Sequence, residues 1–300
     1  MIKNAPSLMY RQSHFYTVDI NNALPKNLLN STHSIPVFAL QLTQTKVRQN
    51  VHQHNINIKI ESKKHACVGI YDMDIWNYAI TLLYNQIKSK SFHLTNPAIQ
   101  FSAHSFLIAT NRRTSGNCYQ QLFESLQRLN DNQITIHIPS KEYTTTICLI
   151  DSWRKIKNEK NQMIAIEVVF PDWLFNAILA KRIVAIHQDY FFLRKPLERR
   201  LYLIACKRCA HQARHSVSLR DLYTITGSIA SLREFRRSIK TVVKQNNLPD
   251  YQIRYYQDND SVCFYNRVGI RGYKTQIRDL IFALNETRKK DYVIMTKEHI

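Results

Sequence analysis

The chain has 300 residues, 44% of them apolar, which is enough material for two domains of ordinary size. It carries 42 Lys and Arg against 22 Asp and Glu, a net charge of +20, and both halves are basic, so a polyanion is the expected partner. The apolar runs are too short to span a bilayer, the start has no apolar signal segment, and the six cysteines are scattered. We therefore expect a cytoplasmic protein with reduced thiols and no membrane partner.

The first half of the chain predicts a helix-turn-helix followed by a β-hairpin. Apolar residues recur at helical spacing over 74–88, which indicates a core helix. A short helix over 102–110, a turn over 112–116 and a second helix over 117–130 follow. Alternating isoleucines then predict a hairpin over 134–150. Helix, turn, helix and hairpin in this order are typical of a winged helix.

The second half repeats this order. The sequence predicts a helix over 196–210, a short helix over 218–226, a longer helix over 231–245 and a hairpin over 251–265. Gly227 and Ser228 form the predicted turn between the second and third segments. Residue identity between the two copies is weak, so the repeat is one of element order.

The repeated order predicts an α+β fold of two tandem winged-helix domains, each a helix-turn-helix with a β-hairpin wing. The N-terminal domain is predicted over residues 1–165 and the C-terminal domain over 166–270. A C-terminal helical extension over 271–300 is predicted to contain a last helix over 275–290. Only 5 Gly and 8 Pro are present and no flexible linker is visible, so we expect the domains to abut.

The helix over 231–245 separates its residues by type. One stripe at helical spacing is apolar and comprises Leu232, Phe235, Ile239, Val242 and Val243. The other is basic and comprises Arg233, Arg236, Arg237, Lys240 and Lys244. Arginine can pair guanine O6 and N7, whereas lysine mostly neutralises phosphate, so we predict that these five residues contact DNA in the major groove. A solvated basic face is the alternative.

The first helix-turn-helix predicts a second set of DNA contacts. Amides dominate its exposed face, and amides can pair adenine edges, while arginines in the turn suit phosphates. The predicted contacts are Arg112, Arg113, Thr114, Ser115, Asn117, Gln120 and Gln121. Lys141 and Arg254 are the predicted contacts of the two wings. An ordinary polar helix face or a protein interface is the alternative.

Nothing in the sequence predicts catalysis strongly, so we expect a protein that is not an enzyme and has no catalytic residue, metal or cofactor. Cys206 and Cys209, followed by His211 and His215, have poor spacing for zinc. The motif of His52, Gln53 and His54 is similar to the metal site of rolling-circle nickases, but its flanks are polar. Phosphate-binding glycine loops are absent from the sequence. A metal-dependent origin nickase is kept as the alternative from another class.

Several runs of residues resemble the replication initiator protein A family of bacterial plasmids. The longest is DYFFLRKPLERRLY over 189–202, and SLREFRR over 231–237 is a second. ATNR over 109–112 and LIDSW over 149–153 also match the family. The resemblance extends over about residues 15–267, nearly the whole chain.

This resemblance implies a plasmid replication initiator that binds origin repeats, called iterons, in double-stranded DNA. It further implies opening of a neighbouring AT-rich segment, recruitment of host replication proteins such as the host initiator and helicase, and repression of its own promoter. Related initiators use paired winged helices and self-associate as dimers, with exchange between monomer and dimer. A winged-helix transcriptional repressor is the alternative within the DNA-binding proteins.

Overall fold

A computed structural model of the chain describes residues 14–23, 36–41, 47–49, 57–63, 66–89, 97–209 and 212–267. The helices in this part are α1 (Met73–Lys88), α2 (Ala103–Ala109), α3 (Gly116–Asp131), α4 (Asp172–Leu179), α5 (Pro196–Arg208), α6 (Leu219–Thr226) and α7 (Leu232–Gln245). The strands are β1 (His14–Val18), β2 (Val47–Gln49), β3 (Asn57–Ser62), β4 (Ala98–Phe101), β5 (Asn132–Ile138), β6 (Tyr143–Cys148), β7 (Ser152–Lys157), β8 (Met163–Val169), β9 (Ile183–His187), β10 (Arg214–Ser218), β11 (Tyr251–Tyr256) and β12 (Ser261–Asn266). The fold is therefore mixed α+β. None of the helices described is long and apolar enough to cross a bilayer.

The first unit of the fold consists of α1, β4, α2, α3, β7 and β8. Helix α1 is the predicted core helix, and Ile75, Tyr78 and Leu83 are fully buried along it. Strand β4 precedes the helix-turn-helix α2–α3 and pairs with β8, so the sheet order is β4-β8-β7. Apolar residues face each other in this register, with Ile99 opposite Val168. Burying this pair fixes the strand register, because a slip of one residue would expose both side chains.

The second unit consists of α5, β10, α6, α7, β11 and β12, and it follows the same plan. Strand β10 precedes the helix-turn-helix α6–α7 and pairs with the last strand, so the sheet order is β10-β12-β11. All the elements that the sequence predicted over 196–265 are present within one or two residues of their predicted ends. The repeat of element order thus extends to the pairing of the strands.

The predicted hairpin over 134–150 forms, as β5 and β6, but its place in the fold differs from the prediction. It lies in a separate sheet of order β2-β3-β5-β6 and is not paired with β4. The reason is apolar pairing, because Ile58 and Ile60 of β3 lie opposite Ile136 and Ile134 of β5, and all four are buried. Strand β4, which leads into the first helix-turn-helix, lies instead in a sheet with β8 and β7. None of these three strands is predicted by the sequence.

A buried carboxylate connects the two units. Asp74, at the start of α1, accepts hydrogen bonds from Arg112 at 2.8 Å and from Arg199 of α5 at 2.5 Å. The Arg199 guanidinium lies between the rings of Tyr71 and Tyr190, 4.7 and 4.9 Å from their centroids. Burial disfavours the charge on Arg199, but the Asp74 carboxylate raises its pKa above the usual value. We call Asp74, Arg112 and Arg199 the Asp74 joint.

Two further predictions concern the ends of the predicted domains. Strand β8 runs to Val169, so the sheet of the first unit continues past the boundary predicted at residue 165. The helix predicted over 275–290, within the extension over 271–300, lies outside the described residues.

Candidate nucleic-acid interface

Helix α7 begins at a capping box. The Ser231 hydroxyl accepts a hydrogen bond from the Glu234 amide at 3.3 Å, and the Glu234 carboxylate accepts one from the Ser231 amide at 3.1 Å. Two of the amides at the start of the helix are satisfied in this way. The helix ends at Asn246, whose φ of 49° is left-handed. Both ends are therefore fixed by local chemistry.

The faces of α7 are divided as the sequence predicts. Phe235, Ile239 and Val242 are buried, and the Phe235 ring meets Tyr223 of α6 edge to face at 5.3 Å. The exposed cations of the opposite face are Arg233, Arg237, Lys240 and Lys244, which we call the α7 ridge. Because the apolar face is held by the core, the ridge is presented to solvent along three turns of the helix.

Arg236, the fifth predicted contact, has a partner within the protein. Its guanidinium donates to both carboxylate oxygens of Asp260, at 3.2 and 2.8 Å, in the turn between β11 and β12. The Tyr255 hydroxyl donates to the same carboxylate at 2.5 Å. The hydrogen bonds from Arg236 and then Tyr255 hold the pKa of Asp260 below its usual value. Arg236 therefore links α7 to the hairpin through an ion pair, and Lys240 approaches the same hairpin, 5.2 Å from the centroid of the Tyr255 ring.

The β11–β12 hairpin is acidic at its tip. Asp258 is exposed there, next to the paired Asp260. Arg254, the predicted wing contact, lies on β11 with an exposed side chain, and its guanidinium lies 5.2 Å from the centroid of the Tyr265 ring. A phosphate backbone would be repelled by the tip and attracted by the strand, so the charges favour contact along β11.

The first helix-turn-helix begins with a capped helix and a left-handed turn residue. The Ser102 hydroxyl accepts a hydrogen bond from the Ser105 amide at 3.0 Å and caps α2, and Asn111 has a φ of 55°. The next helix, α3, is held by buried Leu122, Leu126 and Leu129. Six of the seven predicted contacts in this region are exposed, namely Arg113, Thr114, Ser115, Asn117, Gln120 and Gln121.

Arg112, the seventh, is bound inside the protein, so its predicted role as a DNA contact conflicts with its geometry. It donates to Asp74 and to the Tyr71 carbonyl, at 2.8 and 2.9 Å, and its side chain is only 18% exposed. Arg128, which the helical spacing places on the outer face of α3, likewise forms a two-bond ion pair with Asp72. Both arginines therefore anchor α3 and the turn before it to the start of α1.

The hairpin predicted as the wing of the first unit does not pair with the sheet of that unit. Lys141 is exposed in the one-turn 3-10 helix between β5 and β6, in the sheet that does not contain β4. The hairpin that pairs with β4, the strand directly before the helix-turn-helix, is β7–β8. Its exposed cations are Arg154, Lys155, Lys157 and Lys160. The available signal is the alternation in β8, where the buried Ile166 and Val168 flank Glu167. Lys155 lies 3.6 Å from the Phe123 ring centroid, which connects this basic hairpin to α3.

The alternative metal sites gain no support. Cys206 and Cys209 are buried, and burial raises the pKa of both thiols to about 12, so they remain protonated at neutral pH. Among the described residues, no three His, Cys, Asp or Glu side chains are placed to hold a metal ion. His211 and the motif at residues 52–54 lie outside those residues.

If α7 contacts base edges, Arg237→Ala is expected to weaken binding to a specific duplex sequence by roughly tenfold or more, because an arginine that pairs a guanine edge has no substitute. Random DNA should be affected less. Lys244→Ala on the same ridge is the matched control, and it should weaken both DNAs equally if Lys244 contacts phosphate. Titrations by fluorescence anisotropy measure both ratios. Equal losses for Arg237→Ala would assign Arg237 to phosphate as well.

The chain is similar to known proteins in sequence and in fold. A protein of Wigglesworthia glossinidia brevipalpis named "Putative replication protein" is 36% identical over 238 residues, which cover 77% of this chain and 86% of that protein. Crystal structures of domains 2 and 3 of RctB share the fold with a TM-score of 0.52 and 12–13% identity, over 77% of this chain and 95% of theirs.

The fold and its two surfaces define a basic α+β protein with two helix-turn-helix units, the class that contains many DNA-binding proteins. The sequence model of the replication initiator protein A family matches residues 30–253. The chain belongs to this family, and the resemblance given by the sequence is confirmed. Membership places it among replication initiators, and it implies DNA binding.

Proposed function

We propose that this chain is a plasmid replication initiator that binds iterons in duplex DNA through two winged helices. One observation carries the proposal, namely that both units combine a helix-turn-helix with a hairpin in the same sheet order. In a winged helix, the second helix enters the major groove and the hairpin lies along the backbone. Two such units in one chain raise each other's effective concentration on a repeat, so tight binding needs no further contact.

The two units divide the reading of DNA differently. Helix α7 offers the guanidinium groups of Arg233 and Arg237, which suit guanine edges. Helix α3 offers the amides of Asn117, Gln120 and Gln121, which suit adenine edges, beside the basic β7–β8 hairpin. The charges therefore favour a first unit that holds the backbone through its hairpin and a second unit that holds it through Lys240 and Lys244 of the α7 ridge.

Initiation would follow from binding energy alone, without strand cleavage or nucleotide hydrolysis. Several molecules bound to tandem repeats bend the DNA, and the strain is relieved at an adjacent AT-rich segment, where pyrimidine–purine steps deform most easily. Host replication proteins, the host initiator and helicase among them, would then load on the opened strands. Exchange between dimer and monomer would set how many molecules are free to bind, and so control copy number.

Permanganate reactivity on a supercoiled plasmid carrying its own origin tests this proposal. Unpaired thymines should become reactive in the AT-rich segment once the repeats are protected in a footprint, because strand opening exposes the thymine 5,6 double bond. The same plasmid with scrambled repeats is the control, and it should show neither protection nor reactivity. Protein carrying Arg237→Ala should need a higher concentration for both effects.

Two results would contradict the mechanism. Protected repeats without reactive thymines would leave a transcriptional repressor or an initiator that depends on a helper. Nicked plasmid in the presence of Mg²⁺ or Mn²⁺, with protein bound covalently to a DNA end, would make the chain a nickase.

A further inference from the structure

An exposed isoleucine, Ile229, lies in the turn between α6 and α7 of the second unit. Ile229 is 75% exposed, the highest value among the large apolar side chains that the structure describes. The turn around it is held at both ends. The Gly227 amide donates to the Thr224 carbonyl at 3.1 Å, and the Tyr223 hydroxyl donates to the Ala230 carbonyl at 2.8 Å. Ile229 is therefore displayed at a fixed place.

The capping of α7 does not explain an apolar residue at this position. Ser231 is the N-cap, so the apolar contact that often accompanies a cap would join Ala230, directly before it, to Phe235. Ile229 lies one residue further out. Isolated exposed apolar residues are common on protein surfaces, so the exposure of Ile229 becomes informative only through its place in the unit.

The turn between α2 and α3 and the turn between α6 and α7 have the same construction. Thr110 and Thr226 close their helices by donating a side-chain hydrogen bond to an earlier carbonyl, each at 2.8 Å. Five positions later, Ser115 and Ser231 take the N-cap positions of α3 and α7, both with extended backbone. The turns can therefore be matched residue by residue.

In this alignment, Ile229 of the second turn corresponds to Arg113 of the first turn. The residue after each threonine, Asn111 or Gly227, has a positive φ, which supports the alignment. Two positions further on, the first turn has the exposed cation Arg113 and the second has exposed Ile229. One and the same position of the turn thus carries a charge in the first unit and an apolar side chain in the second.

The major groove contains one apolar group that an isoleucine can contact, the 5-methyl group of thymine. We propose that Ile229 packs against a thymine methyl at the edge of the base pairs read by α7, and so selects a T·A pair at that position. This inference rests on the proposed function, since it requires that α7 lies in the major groove. Arg113, at the matching place, would contact phosphate and select no base.

The test replaces the thymines of the footprinted origin repeat one at a time by deoxyuridine, which removes the methyl group alone. Wild-type protein should lose about threefold to tenfold in affinity at one thymine, as expected for one buried methyl group. Ile229→Ala should lose a similar factor on the normal repeat and nothing more at that thymine. Leu179→Ala removes another exposed apolar side chain, 45% exposed at the end of α4 and outside both units, and should keep the full thymine effect.

Each outcome decides the inference. If Ile229→Ala responds to every deoxyuridine as wild type does, Ile229 contacts no thymine methyl and the inference is wrong. A loss of self-association in Ile229→Ala, with the thymine effect intact, would make Ile229 a protein contact and also overturn it. Ile229→Val, which keeps a branched side chain, should retain part of the effect and shows that the variants fold. A wild-type protein that fails to prefer the repeat over random DNA would instead refute the proposed function.

Discussion

Asp74→Ala is expected to lower the free energy of unfolding by about 3–5 kcal/mol, since it leaves two arginines without their shared carboxylate in a buried place. Asp74 is 1% exposed and Arg199 is 3% exposed, so water cannot replace the lost oxygens without opening the joint. The Leu193 carbonyl still accepts one hydrogen bond from Arg199, at 2.7 Å, and does not neutralise its charge. Urea unfolding followed by tryptophan fluorescence measures the loss, because Trp76 is buried in α1.

The control for this prediction is Glu167→Ala. Glu167 of β8 pairs with Arg154 at 2.6 Å, but that arginine side chain is 73% exposed. Glu167 is 13% exposed, but removing it leaves an arginine that water can solvate and no buried charge without a partner, so the unfolding midpoint of this variant should fall far less than that of Asp74→Ala. Equal midpoints for Asp74→Ala and Glu167→Ala would mean that the joint is open in solution.

The Asp74 joint also bears on DNA binding. Arg112 lies in the turn before α3, and Arg199 lies on the first helix of the second unit. The Asp74 carboxylate therefore connects the turn before α3 to helix α5 of the second unit. If the two units bind one repeat together, this contact helps to fix their spacing, and its loss lowers the gain in effective concentration, part of which the covalent connection still provides.

The sequence predicts well those elements that local chemistry determines. Ser231 with Glu234 starts α7, Gly227 ends α6, and the spacing of Phe235 and Ile239 sets the buried face. Each of these signals lies within a few residues of its effect. The same holds for α1 and α2. It also explains why α5, α6, α7, β11 and β12 are predicted within one or two residues, whereas strand β10 of the second unit is not predicted.

The sequence does not predict contacts that depend on distant partners. Arg112 and Arg128 look like exposed cations beside a reading helix, but their carboxylates lie 38 and 56 positions away along the chain. Arg236 meets Asp260 at a separation of 24. The wing was placed wrongly for a similar reason, because the strong alternation of β5 predicts a strand without naming its partner, β3.

Raising the salt concentration from 50 to 200 mM is expected to weaken binding to duplex DNA by about a thousandfold or more, if about six to ten phosphates are contacted. Each neutralised phosphate releases condensed counterions, and added salt opposes that release. Exposed cations of the two units that can supply these contacts include Arg113, Arg154, Lys155, Lys157, Lys160, Arg220, Lys240, Lys244 and Arg254.

Single substitutions test which of these cations contact the backbone. Lys160→Gln in the β7–β8 turn and Lys244→Gln on the α7 ridge should each reduce the slope of log affinity against log salt by about one. Lys181→Gln is the matched control, because Lys181 is exposed after α4 and belongs to neither unit, so its slope should equal that of wild type. A wild-type affinity that hardly changes over this salt range would overturn the electrostatic basis of binding. A reduced slope in Lys181→Gln alone would place the DNA on a different face of the molecule.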